Sequence, residues 1–104
     1  MPELTKDADI LICCIYKEYL QRRKENIPKS QALAFDFNFY MSDKKLSKWL
    51  EDDVKFTLAE LSRKGYIKLW LGCSFCLLDN AIIYMENRFK DGIIEVTDFI
   101  SKFL

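Results

Sequence analysis

Leu58-Ala-Glu-Leu61-Ser-Arg-Lys-Gly65-Tyr66-Ile67 is the stretch that decides the fold. Val54, Leu58 and Leu61 recur at helical spacing and form the inner stripe of a helix over residues 51–64. Glu51, Asp52 and Asp53 crowd its first turn, where the helix dipole favours negative charge. Arg63 and Lys64 occupy its last turn, and Gly65 supplies the residue at which helices stop. Residues 66–71 and 75–79 are aromatic and aliphatic and read as two strands joined through Gly72–Ser74. Leu78-Asp-Asn-Ala81-Ile82 then opens another helix, with Asp79 in position to cap it.

Working upstream, residues 6–25 read as a first helix. Ala8, Ile12, Ile15 and Tyr19 share its inner face, with Leu11 and Tyr16 flanking. Arg22, Arg23 and Lys24 suit its negative end, and Asn26 and Pro28 stop it. Residues 28–36 read as a short second helix with Pro28 in its first turn. Residues 37–41 are aromatic and have no regular period. Ser42 is placed to cap a short helical turn over residues 43–50. Downstream, Ile82, Met85, Phe89, Ile93, Val96, Ile100 and Phe103 keep spacings of three and four. Residues 80–103 therefore read as one long helix, bent at most at Gly92.

A chain of 104 residues with half its residues hydrophobic is expected to be one domain with its own core. The 16 basic residues are balanced by 16 acidic ones, so a nucleic-acid partner would meet a local patch rather than a basic surface. Seven of the acids lie in residues 1–50 against nine lysines and arginines, so the basic bias is in that half. No leader pattern precedes the first apolar run, and the longest apolar stretch, residues 69–78, is too short to span a bilayer. The expected location is cytoplasmic, with Cys13, Cys14, Cys73 and Cys76 as reduced and mostly buried thiols.

Histidine is absent, which removes His-based nucleophilic systems and the commonest metal ligand. The three glycines are isolated, so there is no phosphate-binding loop. Cys73-Ser-Phe-Cys76 could belong to a zinc or redox site. Adjacent Cys13 and Cys14, however, point about 100 degrees apart on a helix and do not complete a four-ligand set. The expectation is a protein without enzymatic activity, cofactor or metal.

The order of elements and the Leu61–Ile67 stretch, followed by the hairpin and Leu78–Ile82, resemble the winged-helix superfamily over roughly residues 8–90. Asp79 and Ala81 stand where that pattern commonly has Thr and Gly. Tyr84-Met-Glu-Asn-Arg-Phe89 is similar to small winged-helix proteins of Gram-positive bacteria and their mobile elements. The resemblance implies a mainly α fold with a small β-hairpin, a winged helix-turn-helix with a long C-terminal helix. Core residues 8–80 would form the module.

It further implies DNA binding in transcription regulation. Lys29, Ser30, Gln31, Lys44, Lys45, Lys48, Lys55, Arg63 and Lys68 are the candidate contacts. The reading helix would show Asp52, Lys55, Phe56, Ala59, Glu60 and Arg63 outward. Its acids would repel phosphate, and the wing is short and uncharged at its tip. Ile82, Met85, Phe89, Ile93, Val96, Ile100 and Phe103 are candidates for the seam of a homodimer, the alternative being packing on the first helix. A second functional reading is a module that binds a protein partner through exposed aromatics such as Trp49, Phe56 or Trp70.

Overall fold

The computed structural model describes residues 3–102. Helix α1 (Lys6–Lys24) is its centre: every residue from Ile10 to Tyr16 is buried. The run Ile-Leu-Ile-Cys-Cys-Ile-Tyr is apolar on all sides, and such a helix is stable only when neighbours surround it. Thr5 caps α1, its Oγ1 accepting from the Ala8 N–H at 3.2 Å. The helix closes at Asn26, whose φ of 64° allows the Asn26 and Ile27 amides to donate back to Arg23 and Arg22.

The second helix is shorter than the sequence suggests. Helix α2 covers only Lys29–Ala32, and Ala34–Phe35 forms strand β1 instead of a last helical turn. Phe35 gains more by pairing than by continuing the helix. It lies opposite Phe75 in the sheet with the two rings stacked at 5.1 Å, and the Arg22 guanidinium lies 4.1 Å from its ring centroid. Arg22 also donates to the carbonyls of Ala32 and Ala34, at 3.3 and 2.7 Å, and fixes this turn to α1.

Helix α3 (Phe39–Ser42) occupies the aromatic stretch that has no sequence period. Ser42 ends it rather than capping the next turn, since its hydroxyl donates to the Phe39 carbonyl. Asp43 does the capping: its Oδ1 accepts from the amides of Lys45 and Leu46 at 2.8 and 2.9 Å. A 3-10 turn, Leu46–Lys48, follows. Helix α4 (Glu51–Arg63) buries Val54, Leu58 and Leu61 as its stripe requires. Gly65, at φ 83°, stops it, with the Gly65 and Tyr66 amides donating to Ser62 and Leu61.

Strands β2 (Ile67–Leu69) and β3 (Phe75–Leu77) are shorter than their sequence signals. Leu71–Cys73 forms a 3-10 turn between them. The sheet has three antiparallel strands in the order β1-β3-β2, so the expected hairpin gains an edge strand from far upstream.

Residues 80–103 do not form one helix. Helix α5 (Asp79–Arg88) starts one residue after its cap Leu78, with no side-chain cap from Asp79, and ends at Phe89. Helix α6 (Ile93–Ser101) follows a tight reversal through Gly92. There φ is 67° and ψ −125°, a conformation open to glycine and strained for other residues. The break lets both halves of the apolar stripe turn onto α1. Ile82, Met85, Phe89, Val96 and Ile100 are buried in the same cluster as the α1 core, and Ile93 is half-buried. Phe103 lies outside the described residues.

Candidate functional site

Helix α4 meets α1 on one side and β2 on another, which leaves Asp52, Lys55, Phe56 and Arg63 exposed on its outer face. Ala59 is half-buried. Glu60, expected outside, is buried and is a structural residue. Its two carboxylate oxygens accept from the Thr5 backbone N–H at 3.0 Å and the Thr5 hydroxyl at 2.7 Å, which ties α4 to the first turn of α1.

Burial opposes ionisation of Glu60. The two Thr5 hydrogen bonds, together with Lys64 and Arg63, more than offset this and hold its carboxyl below its usual range. A carboxylate with a depressed folded pKa stabilises the fold at pH above its unfolded value of about 4.3, and that contribution is lost as pH falls through the folded pKa. Thermal melts from pH 6 downward are expected to show a loss of stability below about pH 4.3 that is smaller in Glu60→Gln. Parallel acid profiles for the two proteins would remove Glu60 as its source.

The candidate contacts lie on several elements. Lys29, Ser30 and Gln31 are exposed on α2. Lys44 and Lys48 are exposed in the segment between α3 and α4, and Lys45 is half-buried there. Lys55 pairs with Glu51 at 3.2 Å, which holds its proton more firmly than usual, and lies 5.5 Å from the Phe37 ring centroid. Lys68 leaves β2 towards solvent and covers the Trp70 ring at 5.3 Å. Arg63 is exposed at the far end of α4. Arg22 is unavailable to a ligand because it is engaged with Glu18, Phe35 and two carbonyls.

The same region carries apolar surface. Phe56 on α4 is 74% exposed, and Leu71 in the hairpin turn is wholly exposed. Leu50 and Trp70 are exposed as well, whereas Trp49, expected at the surface, packs half-buried against the core.

Sequence reasoning misses a cavity of about 400 Å3 between α1, α6 and the segment after α3. Lys44 and Lys45 meet Lys17 of α1 there. Only the weak sequence signal of Lys17 next to the buried face of α1 could have pointed to it.

Cys13 and Cys14 are buried in α1, and Cys73 and Cys76 are half-buried. Burial pushes the Cys13 thiol up to about 12, with Asp9 raising and Arg88 lowering it, and pushes Cys14 up as well. Both therefore stay protonated as small apolar groups. Among the described residues no three His, Cys, Asp or Glu side chains gather as a metal set, and no helix is long and apolar enough to cross a membrane. No family model, curated protein or solved structure matches the chain.

Proposed function

We propose that this chain is a winged-helix DNA-binding protein that acts in transcription regulation as a homodimer. The observation that carries the reading is topological. Helix α4 is the last of four α-helices before the hairpin, which follows it at once, and an early strand completes the sheet in the order β1-β3-β2. In that arrangement α4 is the helix that enters the major groove, and the turn between β2 and β3 is the wing. Lys29, Lys44, Lys48, Lys55, Arg63 and Lys68 supply positive charge around them.

The buried C-terminal stripe is spent within one chain. A partner copy would therefore meet Ile83 and Ile94, which remain exposed on α5 and α6.

The test is fluorescence anisotropy on a mixed-sequence duplex, titrated with salt. Binding at low salt is expected, weakening linearly in log–log form. Lys29→Ala and Lys48→Ala should each weaken affinity for all sequences and reduce the salt slope by about 1. Absence of binding at low salt would reject the reading.

A second reading has its own support. Asp52 and Phe56 sit on the outer face of α4, and Trp70 and Leu71 are exposed in the hairpin. This mixture of apolar and acidic groups suits a protein partner better than phosphate. Such a partner should lose about tenfold or more in affinity on Phe56→Ala.

A further inference from the structure

We infer that the cavity between α1, α6 and the segment after α3 binds a small organic carboxylate with an apolar tail. This inference stands independently of DNA binding. The cavity holds about 400 Å3, within the range of small-molecule sites. Its apolar surface comes from Cys14 and Ile100, both buried, and from half-buried Phe39. Such a floor accepts hydrocarbon and carries no group that demands a polar partner.

The charged side chains around it are not balanced. Lys17, Lys44 and Lys45 line the cavity, and none of them forms an ion pair among the described residues. Two carboxylates also line it, but both are engaged elsewhere. Glu18 pairs with Arg22 at 2.9 Å, and the Oδ1 of Asp43 is taken by the amides of Lys45 and Leu46. With Glu18 paired to Arg22, the lining carries three lysines against the single uncompensated charge of Asp43.

An anionic head held by lysines at the mouth, with its tail on Phe39 and Ile100, satisfies both halves of the surface. A cation would meet three like charges. A neutral amphiphile would leave the lysines unused. The Thr97 hydroxyl lines the same walls and can share the head group, whereas those of Ser42 and Ser101 donate to the Phe39 and Asp98 carbonyls.

The wall formed by residues 42–45 leads directly into the turn before α4. A ligand here touches the central helix, the last helix and the entry to α4 at once. It would order three elements that otherwise meet around an open space.

The experiment is a titration of the full chain with octanoate, followed by amide chemical shifts and by calorimetry, without DNA. Saturable shifts are expected at residues 14–18, 42–45 and 97–101. Octan-1-ol should bind about tenfold more weakly, because it lacks the charge-assisted contacts. Hexanoate, two methylenes shorter, should bind about tenfold more weakly for the loss of apolar burial.

Lys17→Ala should weaken octanoate and leave octan-1-ol unchanged. Thr97→Leu, which fills the cavity from α6, should weaken both. The inference is overturned if octanoate produces no saturable shifts, if the shifts centre on another surface, or if octan-1-ol binds as well as octanoate. Lys17 is not among the candidate DNA contacts, and the titration contains no DNA. Failure of either proposal can therefore be told from failure of the other.

Discussion

Met85→Ala is expected to lower the stability of the isolated chain by about 3 kcal/mol, and Met85→Asp to abolish folding. Met85 has no exposed surface and lies in the apolar cluster that includes Val96 of α6 and Ile12 and Ile15 of α1. Truncating it removes buried methylenes and leaves a void that the surrounding helices can only partly close. A shift of about 4 °C per kcal/mol for a domain of this size places the Ala variant about 12 °C below the parent in a thermal melt. An Asp there would need its charge desolvated with no partner at hand, at a cost comparable to the whole stability of a small domain.

The substitution also separates two roles for the C-terminal stripe. A residue in a dimer seam is exposed in the single chain, so Met85→Asp would give a folded, monomeric protein. A residue in the chain's own core gives an unfolded one. Circular dichroism together with gel filtration reads the difference. A folded Asp variant with parental melting would contradict the burial of Met85.

The stripe illustrates what the sequence can and cannot reveal. The spacing of Ile82, Met85, Phe89, Val96 and Ile100 correctly identifies residues that need burial, because amphipathic period is a local property. It does not say what buries them. The chain reverses at Gly92, where the Gly92 amide donates to the Phe89 carbonyl and the Asp91 amide to the Glu95 carboxylate, and both halves then reach α1. A continuous helix would have carried α6 away from the core. The helical period survives the break because both short helices use it, so the pattern alone cannot report the interruption.

The boundary at residue 33 fails for a related reason. Ala32, Leu33, Ala34 and Phe35 fit a helix locally, but pairing with Phe75, forty residues downstream by sequence, decides their conformation. By contrast, Gly65 and Asn26 are legible because left-handed C-terminal residues announce themselves in the sequence. The spacing in α1 marks one inner face, whereas its unbroken apolar run from Ile10 to Tyr16 is buried on every side. Glu60 was misplaced because its partner, Thr5, lies 55 residues away and no period encodes that contact. The sequence offers Lys44 and Lys45 as candidate DNA contacts and gives Lys17 no role for the same reason: Lys17 is separated from them in sequence and joined to them only by packing.

Arg88→Met is expected to destabilise the chain by about 2–3 kcal/mol, the second largest effect of a single substitution considered. Arg88, in the last turn of α5, makes a two-pronged pair with Asp9 in the first turn of α1; its Nη2 lies 3.0 Å from Asp9 Oδ2 and its Nη1 contacts Oδ1. Both side chains are about one-quarter exposed, so the pair is screened less than a surface bridge but is not fully desolvated. The guanidinium also covers Phe99 of α6 at 4.4 Å and Phe89 at 4.9 Å. One planar cation thus ties α1, α5 and α6 at the point where the chain reverses.

Removing it leaves Asp9 half-buried with its charge unpaired and uncovers two aromatic rings. The loss of the salt bridge and the loss of stacking can be separated. Arg88→Lys keeps the charge but gives up the two-pronged geometry and the flat face, and should recover less than half of the loss. Asp9→Asn alone should cost less than Arg88→Met, because the stacking on Phe89 and Phe99 persists. If the pair is coupled, the double variant Asp9→Asn/Arg88→Met costs less than the sum of the single variants by about 1–2 kcal/mol, measured by urea unfolding with unchanged m-values. Strict additivity would mean that Arg88 acts through its rings alone. The reversal at Gly92 would then be held by packing, with no electrostatic contribution from Asp9.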